Sequence, residues 1–197
     1  MRDTYVTQHF EFTNIRSRIT QPINRICLHR NGNPGALAIN TLNWGNREQA
    51  FNIHAMVENN IVYEAIAPGE LAYHIREWRL AAEKGFVVDV PGLSQKRGDY
   101  GCLGIETSDI KGGGPGQEYS LSQETRISLL LYCRDLVRLH DDVTADGILE
   151  HANYDSWTRS EDLGDALYIP DFRLDLKELL AGMEPWRSTP AGASATR

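Results

Sequence analysis

The chain has 197 residues, of which 41% are hydrophobic and 24% charged, and its formal net charge is −7. That length favours one α/β domain with an ample core over two domains. No run approaches the ~20 apolar residues that cross a bilayer, and an acidic balance without any Lys/Arg-rich tract argues against nucleic acid or anionic lipid as the main partner.

Residues 4 to 28 hold two strand-like stretches, YVTQHFEF and INRICL, and in RICLH the residues Cys27 and His29 share a face. The start, MRDTYVTQHFEF, has neither a basic-then-apolar pattern nor a small-residue cleavage site, so synthesis in the cytoplasm is expected. NGNP (31–34) reads as a turn from which Pro34 opens a helix through Ala36–Ile39 and Trp44. FNIHAMV and IVYEAIA flank the polar corner Glu58–Asn60 and predict a hairpin, in which His54 shares a face with Asn52 and Met56. LAYHI is strand-like, REWRLAAEK is a short helix, and VPGLSQKRGDYG is a loop leading into the apolar strand GCLGIE. The Gly112–Gly116 cluster with Pro115 lacks the Lys-Ser/Thr ending of a phosphate-binding loop.

Ser120 and Gln123 form a capping box, and Ile127, Leu130, Cys133, Leu136, Val137 and His140 recur at helical spacing. GILEH follows as a short strand, then a long loop, HANYDSWTRSEDLGDALY, then a weak helix in DLKELLAG. One domain spans 1–185, with 1–24 as its leading segment, and residues 186–197 form a flexible tail. Cys27, Cys102 and Cys133 are widely spaced within apolar runs, which fits buried reduced thiols better than a disulfide framework.

Four residues carry the chemistry. His29 closes RICLH, His151 closes GILEH, Glu106 ends GCLGIE and Asp162 lies in SEDLGDALY, each where a buried strand gives way to a loop. Two neutral imidazoles and one carboxylate suit a zinc ion with a fourth position open to water, and a nearby carboxylate can act as base, which points to a hydrolase.

RICLHRN resembles the first zinc-ligand strand of the N-acetylmuramoyl-L-alanine amidase family with the peptidoglycan-recognition-protein fold. NIHAMVENNIVYEAIAPGELAYHI resembles that family's hairpin and the following Trp/Tyr-His pair, GCLGIE its IGIE segment, and GILEHANYDSWTRSEDLGDALY the stretch from its second His to its last ligand. The resemblance covers roughly residues 25 to 170. It implies a single α/β domain, with a mixed central β-sheet flanked by α-helices and Zn2+ at the bottom of a groove at one edge or end of the sheet. It further implies His29, His151 and Asp162 as zinc ligands, Glu106 as general base and later acid, and Ser160 as the donor facing the oxyanion. His54 and His74 either contact substrate or pack beneath the cleft, and Trp157 and Tyr168 either wall it or belong to the core. Departures from the pattern are Leu163 where the family has Pro, Ser160 where it has Lys or Thr, and Ile53 where phage members often have Tyr.

The implied reaction is hydrolysis of the amide between the lactyl group of N-acetylmuramic acid and L-alanine in peptidoglycan, by a phage endolysin that reaches the wall after release. A cytosolic muropeptide-recycling amidase is the nearest variant, and Ser160 in place of that enzyme's usual Lys favours the lysin. A non-catalytic peptidoglycan-binding module is a different class, motivated by the missing Tyr and Lys. A cysteine amidase using Cys27 or Cys102 with a histidine is a third; neither cysteine opens a helix that would activate its thiol.

Overall fold

RICLHR, buried at five of its six positions around the apolar Ile26, Cys27 and Leu28, is covered on both faces, and it becomes the strand around which the rest is arranged. A computed structural model describes residues 4–13, 22–31, 36–48, 52–75, 84, 101–108, 121–154, 163 and 167–182. Among these run β1 (Val6–His9), β2 (Arg25–Arg30), α1 (Ala38–Glu48), β3 (Ala55–Glu58), β4 (Ile61–Glu64) and β5 (Cys102–Thr107). They are followed by α2 (Gln123–Leu139), a 3-10 turn (Ala145–Gly147), β6 (Ile148–Glu150), the single-turn α3 (His151–Tyr154) and α4 (Ile169–Leu180).

The six strands form one mixed sheet in the order β1-β4-β3-β5-β2-β6. The β3–β4 hairpin is antiparallel and every other pairing is parallel. The fold class is therefore the one expected, a mixed sheet flanked by helices. Because side chains alternate along each strand, Ile26, Leu28, Ala55, Val57, Leu103 and Ile105 face one way and pack with Leu129, Cys133 and Leu136 of α2 and Phe172 and Leu176 of α4. Cys27, Met56 and Tyr63 face the other way. There α1 brings Ala38 and Leu42 against Met56 and Tyr63, while Cys27 packs with Ile75, Cys102, Leu149 and Tyr154. All three cysteines are buried and unbridged, as their apolar settings predict.

Several elements differ from expectation. The long helix is capped by Ser122, whose Oγ accepts from the Thr125 N–H at 3.0 Å. Gln123 is thus the first helical residue instead of the third, which removes it from the capping-box position assigned with Ser120. The strand expected in LAYHI is absent, because residues 71–75 dock on Asn52 and not on a neighbouring strand. β6 stops at Glu150, and His151 opens α3. The last helix begins at Ile169, well before DLKELLAG, with Pro170 in the first turn where its missing N–H costs nothing. Pro34, most of REWRLAAEK, the Gly112–Gly116 cluster, Ser120, Trp157, Ser160, Asp162 and the tail lie outside the described residues.

The hairpin turn is tied to α2. Asn59 adopts φ 51, the left-handed region that asparagine tolerates better than most residues, and donates its N–H to Thr125 Oγ1 at 2.8 Å. Thr125, fully buried, also receives the Ser122 hydroxyl at 3.0 Å. Thr125→Val keeps the shape and removes the acceptor, so it should destabilise the protein by about 1–3 kcal/mol in urea unfolding, with the Asn59 amide losing hydrogen-exchange protection.

Candidate metal centre

Three parallel strands bring residues at or just past their carboxyl ends to one place. β2 and β5 pair with His29 opposite Glu106, and β2 and β6 pair with Leu28 opposite Glu150, so His151 is the next residue beyond that register. Side chains opposite one another in a sheet share a face, and His29 and Glu106 therefore rise together on the face that carries Cys27 and Gly104. The carboxyl ends of parallel strands are where α/β proteins place their sites.

His29 lies at the middle of a row of imidazoles. Its Nδ1 is 3.0 Å from His151 Nδ1, and its Nε2 is 2.8 Å from His74 Nδ1. The rings meet edge to face, with centroids 4.7 Å apart for His29–His151 and 4.9 Å for His29–His74. All three are buried, at 3%, 3% and 8% exposure for His29, His151 and His74. Burial pushes the His74 imidazole down to about 4, opposed only in part by its bond to the Cys102 carbonyl, and it is therefore neutral at neutral pH. The sulfur of Cys27 and ring nitrogens of His29 and His74 also lie within 4.8 Å of one another, a second arrangement able to hold a metal ion.

The surroundings fix these rings. Gly104, opposite Cys27 on β5, gives His74 its seat: a Cβ there would stand 2.5 Å from His74 Cγ and 2.6 Å from Cδ2. His54 is bonded to the same glycine, accepting its N–H at Nδ1 (3.0 Å) while its own backbone N–H reaches the Gly104 carbonyl (3.1 Å); its Nε2–H goes to the Glu70 carbonyl at 2.8 Å. The Asn52 side chain accepts the Tyr73 N–H, and the Asn52 N–H returns to the Tyr73 carbonyl, which holds the chain on either side of His74. At the end of β2, Thr107 Oγ1 donates to the His29 carbonyl at 3.0 Å and the Asn31 N–H to the Thr107 carbonyl at 2.9 Å.

Of the residues expected at the site, the structure brings together His29, His151 and His74, with Glu106 beside His29 in register. His54 and His74, expected as substrate contacts or as packing, have ring nitrogens engaged by the protein itself. Ser160 and Asp162 lie outside the described residues. Cys27 is fully buried inside β2. The sequence reading passed over Gly104, although a glycine inside an apolar strand is a signal of close approach by another group.

The two imidazole nitrogens are spaced as a zinc ion would need them. Zn–N bonds of about 2.0–2.1 Å in a tetrahedron separate two ligand nitrogens by about 3.3 Å, close to the 3.0 Å between His29 Nδ1 and His151 Nδ1.

The chain matches no protein-family model and no curated protein. It does match solved structures. The solution structure of the PlyG catalytic domain superposes with a TM-score of 0.61 at 13% identity, covering 93% of this chain and 98% of that one. The endolysin and N-acetylmuramoyl-L-alanine amidase LysCS from Clostridium intestinale gives 0.57 at 12% identity, over 88% and 98% of the two chains. The N-acetylmuramyl-L-alanine amidase AmiD from E. coli, solved with the substrate anhydro-N-acetylmuramic acid-L-Ala-D-gamma-Glu-L-Lys, gives 0.57 at 14% identity over 88% of this chain and 63% of its own. The fold is thus the one shared by peptidoglycan amidases and endolysins. At such identities the likeness establishes architecture, and chemistry has to be argued from the side chains.

The packing of His74 on Gly104 gives a direct check. Gly104→Ala must displace His74 or bend β5, and overpacking of this kind should cost about 1–3 kcal/mol in chemical denaturation.

Proposed function

We propose that the chain is a zinc-dependent amide hydrolase of peptidoglycan, cutting between the lactyl group of N-acetylmuramic acid and the first L-alanine of the stem peptide. The observation that carries this reading is the pair His29 Nδ1 and His151 Nδ1, 3.0 Å apart at the carboxyl ends of β2 and β6, with Glu106 in register beside them. The ligands in this reading are His29, His151 and Asp162. Zinc held there would supply Lewis-acid polarisation of the amide carbonyl and a lowered pKa for water.

The remaining work belongs to the protein. The Glu106 carboxylate accepts a proton from the attacking water and returns it to the departing amine, so one group serves as base and then as acid. Ser160 donates a hydrogen bond to the developing oxyanion. The buried walls around the imidazoles keep competing water out, which strengthens each electrostatic contact.

Likeness to the endolysin LysCS supports deployment as an endolysin. A second reading, a muropeptide-recycling amidase acting on soluble fragments, is favoured by the anhydro-muramoyl peptide bound to AmiD. Assays on intact sacculi and on soluble anhydro-muropeptides separate the two, since a lysin releases stem peptides from sacculi and a recycling enzyme acts on fragments alone. New N-terminal alanine should appear in a chelator-sensitive manner. Binding of muropeptide without any cleavage would leave a recognition module instead of an enzyme.

Two substitutions test the assigned roles. His29→Ala or His151→Ala should lose stoichiometric zinc by elemental analysis, and hydrolysis with it. Glu106→Gln should keep zinc while turnover falls about 100-fold or more; a normal rate would show that the proton is handled elsewhere.

A further inference from the structure

His74 is not among the ligands proposed above, yet its Nδ1 is 2.8 Å from His29 Nε2, a shorter approach than the 3.0 Å between His29 and His151 nitrogens. We infer that His74 is a positioning residue that fixes the tautomer of His29, so that the His29 Nδ1 lone pair faces His151. This deepens the zinc-amidase reading and rests on it for its purpose.

The direction of the hydrogen bonds fixes which nitrogens carry protons. The Cys102 carbonyl can only accept, and it faces His74 Nε2 at 3.5 Å, which places the His74 proton on Nε2. A neutral imidazole carries one N–H, so His74 Nδ1 is left as an acceptor. His29 Nε2, 2.8 Å away, must then be the donor. The other nitrogen of His29 then carries no proton, and it is the one 3.0 Å from His151 Nδ1. A chain anchored on a backbone carbonyl therefore selects which nitrogen of His29 is offered to a cation, the task that outer partners of metal-binding histidines perform.

The seat for His74 is purpose-built. Only a glycine at 104 leaves room for its ring, and the Asn52–Tyr73 bonds fix the segment that carries it. The competing use of the same atoms is a metal among Cys27, His29 and His74. It is incompatible with the present assignment, because His29 Nε2 cannot both donate to His74 and bind an ion.

The test uses the 197-residue chain in three forms: wild type, His74→Asn and His74→Leu. Asparagine keeps an acceptor oxygen near the place of Nδ1, whereas leucine fills the space and accepts nothing. Long-range proton–nitrogen NMR spectra of the metal-free proteins report the His29 tautomer, and chelator competition reports the dissociation constant for Zn2+. The expected result is a proton on His29 Nε2 in wild type and in His74→Asn, with zinc affinity in that variant within about threefold of wild type, and a mixed tautomer with a 10–100-fold loss of affinity in His74→Leu. Thermal unfolding of each variant verifies that it is folded; if His74→Leu is not, the wild-type tautomer decides the matter.

A proton on His29 Nδ1 in wild type overturns the inference. So does a His74→Leu protein with unchanged tautomer and affinity, or a His74→Asn protein as impaired as the leucine variant. The zinc reading fails separately, if wild type binds no zinc, while the tautomer still decides the role of His74.

Discussion

The parallel, in-register pairing of β2 with β5 on one side and β6 on the other is the constraint on which the site depends. It puts His29 opposite Glu106 and sets His151 one residue past the Leu28–Glu150 pair. A slip of one residue along either pairing would send the corresponding side chain to the opposite face, among Leu28, Ile105 and the helices. The register is specified from both sides, since the residues alternating with the site, Ile26, Leu28, Leu103 and Ile105, must reach the core beneath α2 and α4. The apolar packing of one face thereby determines the chemistry of the other.

On that other face, polar groups are buried together, and each ring brings its own hydrogen-bond partner. His54 is engaged at both nitrogens by backbone, His74 bridges a carbonyl and His29, and His29 lies between His74 and His151. Such an arrangement is costly if left half satisfied and rigid when complete, because the low local dielectric raises the stakes of every contact. It gives the imidazoles fixed orientations before any ligand arrives, the condition under which a metal centre can be selective and fast.

Much of this was legible in the sequence. His29, Glu106 and His151 each close an apolar run, and that pattern places them near strand ends, although His29 and Glu106 are the penultimate residues of β2 and β5 and His151 opens α3 instead of a loop. The β3–β4 hairpin announced itself through its Asn-rich corner, and α2 through its apolar spacing. What the sequence did not disclose was contact made without periodic structure. His74 reaches the site on a segment held by an asparagine side chain, and nothing in LAYHI marks Asn52 as its partner. Ser122 displaced Ser120 as the helix cap because capping depends on the backbone angles of one residue, which composition leaves open. Gly104 carried a readable signal, a glycine inside a buried strand, whose meaning needed the ring that fills the space.

The central claim is that a metal ion lies between His29 and His151. An anomalous-scattering map of zinc-loaded crystals at the zinc edge tests it most directly. The account predicts one peak within bonding distance of His29 Nδ1 and His151 Nδ1. A peak among Cys27, His29 Nε2 and His74 instead, or none anywhere near these rings, would contradict it.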